Sequence, residues 1–432
     1  MNDLKEAVHD RIEQQQEDIF DLAGELVSTP SITGNEGPAQ EIVAKKFTDM
    51  GLDPDIWEPD PSELADHPGF FTTSTTEEVG YDGRPNVVAV REGFGDGQSL
   101  AFSGHIDVVS ADESAWTYDP WTTTQIDGRM YGRGAADMKG GIAAYIHTVR
   151  VLDELDIELE GDLILQSTIE EEAGGAGGVL AALERGYQPD AAIIPEPYRI
   201  PNIGIASAGV MYFRVTVEGK AAHAARGYKG VNAIVKMSKI VDAFERLDQQ
   251  RKQRVSYEPV TNRTSDAEGE VTNLNIGTIE AGDWPSTVPN RAEIQCRIGW
   301  PPGEKRQNIR EQVEKTLTSV TDSDDWLAAN PPEIEWFGWS AEPHEVDTSA
   351  KIVQLAKGHA EDICGESGQY IGGDAGLDER FYNLYYDIPC PTVGPRGTNL
   401  HGADEYVEMD SLVETAQTLA FTAMDYCGIS ER

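Results

Sequence analysis

Residues 161–175, GDLILQSTIEEEAGG, join an apolar run to three adjacent glutamates. The run GDLILQSTI is apolar and β-branched, a pattern that predicts a buried strand. Glu170, Glu171 and Glu172 follow at once, and a Gly-rich turn comes after them. Three carboxylates at the end of a buried strand repel one another and lose hydration, so they take up protons at neutral pH unless a cation lies among them. The segment therefore predicts a strand that ends at a cation site.

Strands and helices alternate on both sides of this segment. The runs RPNVVAV, SLAFSG and DAAIIPE predict further strands, and helical periodicity lies between them, as in MKGGIAAYIHTVRVLDEL. The alternation predicts an α/β domain with a mostly parallel sheet flanked by helices. Sites in such sheets gather at the carboxyl ends of the strands. His105, the three glutamates and Glu196 all fall at predicted strand ends, so we expect them to lie close together.

The pattern changes near residue 208. The segments that follow predict a strand, a long amphipathic helix, two strands, a second helix and a last strand. This β-α-β-β-α-β order is that of a ferredoxin-like α+β unit. We therefore predict a discontinuous catalytic domain, residues 1–207 and 343–432, into which a second domain of residues 208–342 is inserted.

The charge of the chain is strongly negative, since 34 basic and 76 acidic residues give −42. Such a charge repels nucleic acid and anionic membranes, so neither is expected as a partner. Dispersed acids with few lysines are typical of a halophile's cytosol, where salt screens the repulsion, although an acidic mesophilic protein is the alternative. No signal peptide or membrane-spanning run is evident, and the four cysteines lack CxxC spacing. A cytoplasmic location is expected.

Separate motifs supply the types of side chain that a metal site needs. In SGHIDVV, Asp107 lies on the same side of an extended segment as His105 and can fix its tautomer. In GRGAADMKGG, Asp137 can bridge two cations, although capping a helix is the alternative. Of two adjacent glutamates, one can bind metal while the other takes a proton from water, unless the run is only a solvated acidic turn. Glu196, between two prolines, and His401, in a Gly-rich loop, complete the set.

With these motifs the chain resembles the dinuclear zinc hydrolases that include acetylornithine deacetylase, succinyl-diaminopimelate desuccinylase, aminoacylase and glutamate carboxypeptidase. The resemblance runs in order through SGHIDVV, GRGAADMKGG, EEEAGGAGG, PEP, AAHAARG, DERFY and GPRGTNLHGADEYV. It implies a zinc-binding α/β domain interrupted by a ferredoxin-like lid domain that usually dimerises. A homodimer through residues 208–342 is therefore expected.

The resemblance also implies which residues bind metal. It assigns two Zn²⁺ ions, with Co²⁺ or Mn²⁺ tolerated, to two sets of ligands that share Asp137: His105, Asp137 and Glu196 for one ion, and Asp137, Glu172 and His401 for the other. It makes Glu171 the general base and Asp107 the residue that orients His105. A slip of one residue would instead make Glu170 the base and Glu171 the ligand.

Further residues are implied to contact the substrate. His223 matches a lid histidine that stabilises the oxyanion in a neighbouring subunit's site. Arg380 matches an arginine that holds a substrate carboxylate, and Arg297 matches a lid arginine near it. The chain departs from the family at Ser286, which begins Ser-Thr-Val-Pro where many members have Asn-x-x-Pro. The expected reaction is hydrolysis of the amide bond of a small N-acyl amino acid; a dipeptidase or carboxypeptidase with the same centre, and a catalytically silent ligand-binding relative, are the alternatives.

Overall fold

The computed structural model describes residues 2–429, which divide into two compact units. The first unit contains the described residues up to Ile205, together with Glu345–Ile371 and those from Leu377 onward. The second contains Ala206–His344 and Gly372–Gly376. Its main segment begins and ends within two residues of the expected 208 and 342. The short segment Gly372–Gly376 was not expected to belong to it.

Strands occur throughout both units. In chain order they are β1 (Asp55–Trp57), β2 (Asn86–Arg91), β3 (Leu100–His105), β4 (Thr124–Ile126), β5 (Arg129–Tyr131), β6 (Leu163–Thr168), β7 (Ala191–Ile193), β8 (Ile203–Ser207), β9 (Gly209–Glu218), β10 (Asn273–Ala281), β11 (Arg291–Trp300), β12 (Glu333–Ala341), β13 (His344–Glu345), β14 (Tyr370–Gly372), β15 (Gly397–Thr398) and β16 (Tyr406–Glu408).

Helices separate most of these strands. They are α1 (Asn2–Gln14), α2 (Gln16–Val27), α3 (Gly37–Asp49), α4 (Pro61–Leu64), α5 (Ser74–Val79), α6 (Gly140–Glu154), α7 (Val179–Glu184), α8 (Ala233–Arg254), α9 (Glu258–Arg263), α10 (Arg306–Asp322), α11 (Asp325–Ala329), α12 (Lys351–Cys364), α13 (Glu379–Tyr385) and α14 (Met409–Cys427). Among the described residues, no helix is long and apolar enough to cross a membrane.

The first unit is built on a five-stranded sheet of order β1-β2-β6-β3-β7. Its strands β6, β3 and β7 are parallel, whereas β2 runs antiparallel to both of its neighbours. His105, the last residue of β3, pairs with Thr168, the last residue of β6. Both strands are buried along their whole length, as their apolar composition predicts. The parallel register therefore ends β3 and β6 at one edge, where the glutamate run begins.

A smaller sheet of the first unit brings two distant loops together. Its order is β15-β16-β5-β4, and Tyr406 pairs with Tyr131. The chain leaves β5 toward Asp137 and enters β16 from the loop that carries His401. This pairing places the two loops side by side.

The second unit has the predicted β-α-β-β-α-β order, formed by β9, α8, β10, β11, α10 and β12. Its four strands form an antiparallel sheet of order β10-β11-β9-β12, the ferredoxin-like arrangement. Apolar residues of α8 and α10, among them Phe244 of α8, share one buried cluster with residues of the sheet such as Phe213 and Ile294. The predicted fold class, an α/β domain with an inserted ferredoxin-like unit, is confirmed.

Candidate metal centre and active site

Two groups of side chains in the first unit have the geometry of metal ligands. Each group offers one imidazole and two carboxylates, with ligand atoms within 4.8 Å of one another. The groups are His105, Asp137 and Glu196, and Asp137, Glu172 and His401. They share Asp137, whose Oδ1 lies 3.2 Å from Nε2 of His105 and whose Oδ2 lies 3.4 Å from Nε2 of His401. The arrangement has the form of a dinuclear site with one bridging carboxylate.

The charges of this cluster fit a pair of divalent cations. Burial acts to lower the pKa of His105, yet hydrogen bonds to Asp107, Asp137 and Glu196 raise it well above its usual value. Burial and neighbouring carboxylates raise the pKa of Glu196 and of Glu172. The raised pKa values mean that these buried carboxylates are costly to ionise unless a cation lies among them, and imidazole with carboxylate is a donor set that suits zinc.

His401 differs from its neighbours in exposure. Its side chain is 53% exposed, whereas that of His105 is 1% exposed. Hydrogen bonds to Asp137 and Glu172 raise the pKa of His401 to about 10. The second group of ligands is therefore the one that lies open to solvent.

The three glutamates have three different environments. Glu170 is fully buried and accepts hydrogen bonds from Thr73, Thr76, Tyr81 and the amide of Gly177, so its carboxylate faces away from the ligand groups. Oε2 of Glu172 lies 2.9 Å from Nε2 of His401. The geometry therefore groups Glu172 with the possible metal ligands and leaves Glu170 outside both groups.

Glu171 lies between these two and belongs to neither group of ligands. Its Oε2 is 3.9 Å from Nε2 of His105, and its side chain is 8% exposed. Burial raises the pKa of Glu171 well above its usual value, with further contributions from the charges of Asp378 and Glu196. A buried carboxylate of high basicity next to a metal centre has the properties of a proton acceptor.

Asp107 holds the turn that carries these glutamates. Its Oδ1 accepts a hydrogen bond from the amide of Glu171 (3.1 Å), and its Oδ2 accepts one from the amide of Glu172 (3.2 Å). Nδ1 of His105 is 2.9 Å from the carbonyl oxygen of Asp107 and 3.6 Å from its Oδ1. Asp107 thus contacts His105 through its backbone more closely than through its carboxylate, and the carboxylate orients the glutamate turn.

Close backbone contacts bring the remaining ligand turns together. A Cβ atom on Gly141 would lie 2.2 Å from the carbonyl oxygen of Pro195, so glycine lets the start of α6 reach the turn that carries Glu196. Asp137 lies in an irregular turn, with φ of −115° and ψ of 92°, two residues before Lys139, which is the N-cap of α6, so Asp137 does not cap the helix.

Two buried charged residues near the ligands are not evident from the sequence. Oε1 of Glu405 accepts hydrogen bonds from the amides of Ala136 (3.1 Å) and Asp137 (3.2 Å), and Glu405 pairs with buried Arg133. Burial raises the pKa of Glu405 to about 7. Nζ of buried Lys139 donates to the carbonyl oxygens at the end of α2, and burial lowers its pKa to about 7. Lys139 lies in the motif GRGAADMKGG and Glu405 follows His401 in HGADE. The backbone groups that these two side chains hydrogen-bond are evident only from the structure.

Arg380 is buried rather than open to a ligand. Its guanidinium donates to the carbonyl oxygens of Gly174 (2.8 Å) and Leu377 (2.9 Å) and lies 3.5 Å from Oδ1 of Asp378. Burial raises the pKa of Asp378 to about 7. In this conformation Arg380 ties α13 to the end of the glutamate turn.

The other predicted substrate contacts lie in the second unit. His223 is exposed, and its Nδ1 accepts a hydrogen bond from the amide of Ala225. The carbonyl oxygen of Ser286 accepts a hydrogen bond from the amide of Ala224, which places Ser286 beside the His223 turn. Nη1 of Arg297 donates to Oδ1 of Asn273.

Comparison with known proteins shows the family of the chain. The model of peptidase family M20/M25/M40 matches residues 101–425, three quarters of the chain. The chain belongs to this family. As a member of M20/M25/M40 it is an enzyme, a metal-dependent hydrolase of amide bonds. The family that the motifs predicted is confirmed.

Relatives within M20/M25/M40 carry several names. A curated relative is the N-formyl-4-amino-5-aminomethyl-2-methylpyrimidine deformylase of Halalkalibacterium halodurans, 28% identical with 96% of each chain covered. Among solved structures, a tripeptidase from Staphylococcus aureus has a TM-score of 0.71 at 21% identity and covers 96% of this chain and 99% of its own. Human carnosine dipeptidase 1 has a TM-score of 0.73 at 17% identity, covering 98% and 99%. The two structures show a shared fold.

Proposed function

We propose that this chain removes a short acyl group from a small N-acylated amine, with Glu171 as the general base. The observation that carries the proposal is the buried carboxylate of Glu171, which lies beside two groups of metal ligands without belonging to either. Its raised pKa suits a group that takes a proton from water and returns it to the departing amine.

In this proposal one set of residues binds metal and another residue transfers the proton. His105, Asp137 and Glu196 would hold one Zn²⁺ ion, and Asp137, Glu172 and His401 the other, with Co²⁺ or Mn²⁺ as substitutes. When bound, such ions supply Lewis acidity that makes water more acidic and polarises the scissile carbonyl. The carboxylate of Asp107 accepts a hydrogen bond from the amide of Glu171 and so keeps Glu171 in place, and Glu171 transfers the proton.

The position of Arg380 bears on the substrate. Arg380 is 2% exposed, and its guanidinium donates to the carbonyl oxygens of Gly174, Gly175 and Leu377, so binding a substrate carboxylate would require it to break some of these bonds. The curated relative acts, by its name, on an N-formyl aminomethylpyrimidine, an amide without an amino-acid carboxylate. These observations favour a formylated or acetylated amine of that kind. An N-acyl amino acid, held by Arg380, Arg297 and Ser286, is the second candidate.

A substrate panel tests the function. With zinc-loaded protein at high salt, suited to a net charge of −42, we expect hydrolysis of N-formyl-4-amino-5-aminomethyl-2-methylpyrimidine to exceed that of N-acetylornithine, N-succinyl-diaminopimelate and dipeptides. Chelation should abolish turnover, and elemental analysis should find two metal ions per chain. Preference for an acyl amino acid or a dipeptide would favour the second candidate or a peptidase. The proposal would be excluded if the purified protein contained no stoichiometric metal and chelators left its turnover unchanged.

We further propose a cytoplasmic homodimer joined through the second unit. Within that unit β10 is an edge strand, and its Ile279 is 59% exposed, while Trp284 just beyond it is 66% exposed. An exposed edge with large apolar side chains is suited to pairing with a second copy. The four free cysteines support a reducing compartment.

A mixed-subunit experiment tests whether His223 acts across this interface. His223→Ala should lower turnover because an oxyanion contact is lost, by about 10²-fold or more. If the histidine serves the partner's site, heterodimers of a His223→Ala subunit and a Glu171→Gln subunit contain one complete site. They should recover up to half of the activity of the original dimer. Heterodimers as inactive as either parent would show that His223 does not act in the partner's site.

A further inference from the structure

The carboxylate of Glu170 is the centre of a buried network that the metal chemistry does not use. It accepts four hydrogen bonds, none from a cation, and three of the donors are hydroxyls of one segment. The donors are the hydroxyls of Thr73 (2.6 Å), Thr76 and Tyr81 (2.6 Å) and the amide of Gly177 (3.1 Å). A fully buried carboxylate needs such donors, because its desolvation is otherwise costly.

The segment that supplies the hydroxyls is itself held by a buried ion pair. Arg84 donates twice to the carboxylate of Glu36, each time at 2.8 Å, and both side chains are at most 1% exposed. Its guanidinium also lies 5.2 Å from the ring centre of Tyr81 and donates to the carbonyl oxygen of Gly80. Bidentate pairs of this kind fix geometry as well as charge. The hydroxyls are therefore presented from a fixed support.

Close packing prevents the network from shifting. A Cβ atom on Gly175 would lie 2.3 Å from atoms of the Glu170 carboxylate, and one on Gly177 would lie 2.4 Å from the ring of Tyr81. The backbone of Glu170 is left-handed, with φ of 68°, a conformation that side-chain-bearing residues rarely adopt. The hydrogen bonds of its carboxylate offset that cost and hold the turn at the residue before the general base.

We propose that residues 73–84 form a clamp on Glu170 that positions Glu171 for proton transfer. The clamp holds the start of the turn, whereas Asp107 holds the amides of Glu171 and Glu172. Glu170 is a positioning residue, since it contacts neither ligand group. The proposal rests on the role of Glu171 proposed above, because a misplaced carboxylate lowers turnover even when substrate still binds.

The variant Tyr81→Phe tests the clamp, because it removes one donor and keeps the ring against Gly177. With the N-formyl aminomethylpyrimidine as probe, we expect kcat to fall about tenfold, with KM and bound metal within twofold of the original protein. Tyr145→Phe is the matched control, since it removes a buried hydroxyl that donates to the carbonyl oxygen of Gln166 (3.0 Å). Its kcat should stay within twofold.

Hydrogen exchange gives a readout that does not depend on substrate. Amides of residues 170–177 should exchange at least tenfold faster in Tyr81→Phe and not in Tyr145→Phe. Unchanged exchange there, or equal kcat in the two variants, would overturn the clamp. If the original protein hydrolyses nothing in the panel, the proposed function fails, and exchange alone decides whether the clamp fixes the turn.

If Tyr81→Phe does not fold, a second pair of variants tests the clamp. Thr73→Val removes the hydroxyl that donates to Glu170 and caps α5, whereas Thr73→Ser keeps it. The clamp predicts loss of kcat and faster exchange at residues 170–177 in the valine variant and recovery of both in the serine variant. Equal behaviour of the two would contradict it.

Discussion

Glu171→Gln is expected to lower kcat by about 10³-fold while the protein keeps both metal ions. General bases contribute about 10² to 10⁴ in rate, and the amide of glutamine cannot accept the proton. Glutamine has the size of glutamate, and Glu171 belongs to neither group of ligands, so metal binding should persist. Steady-state kinetics together with elemental analysis of the purified variant measure both quantities.

Substitutions of Glu170 and Glu172 test whether the loss of turnover is specific to the carboxylate of Glu171. Glu172→Gln should reduce the bound metal, because Glu172 lies 2.9 Å from His401 within the second group of ligands. Glu170→Gln should leave the metal in place, since its carboxylate faces the hydroxyls of Thr73 and Tyr81. If Glu171→Gln loses metal and Glu170→Gln loses turnover as a base would, the register of the glutamate turn is shifted by one residue.

The sequence predicted which strand ends would meet, and the reason is geometric. Parallel strands place their carboxyl ends at one edge, so β3, β6 and β7 bring His105, the glutamates and Glu196 together. The reversed direction of β2 was not predictable, because an apolar, β-branched run has the same pattern in either direction. This difference does not move the site, since no predicted ligand follows β2.

The surroundings of Glu170 could not be read from the sequence. A run of identical residues gives no sign that Glu170 would find hydroxyl partners about 90 residues earlier, in a segment that carries no motif. The hydrogen bonds of Arg380 are a second example of contacts that the sequence does not indicate. Its DERFY context predicts a substrate contact, but gives no sign that its guanidinium would donate to the carbonyl oxygens of Gly174 and Leu377. Long-range hydrogen bonds of this kind have no periodicity for a sequence pattern to report.

Asp137→Asn is expected to weaken the binding of both metal ions, the widest effect of any single ligand change. Each oxygen of Asp137 faces a different imidazole, Oδ1 that of His105 and Oδ2 that of His401, so the carboxylate serves both groups. Asparagine keeps the size but has one oxygen and no charge, and it cannot bridge two cations in the same way. We expect fewer than one ion per chain after dialysis, and loss of turnover.

Thermal unfolding gives an independent measure of this loss. A metal that binds only the folded chain stabilises it by about 4 kcal/mol at a concentration 1,000 times Kd, so added zinc should raise the Tm of the original protein and not that of Asp137→Asn. Asp10→Asn is the control, because His9, Asp10 and Glu13 also have the spacing of ligands but lie largely exposed on α1. An Asp137→Asn protein that retains two ions and the full shift in Tm would show that Asp137 is not the shared ligand, since a carboxylate needed by both ions cannot be replaced without cost to either.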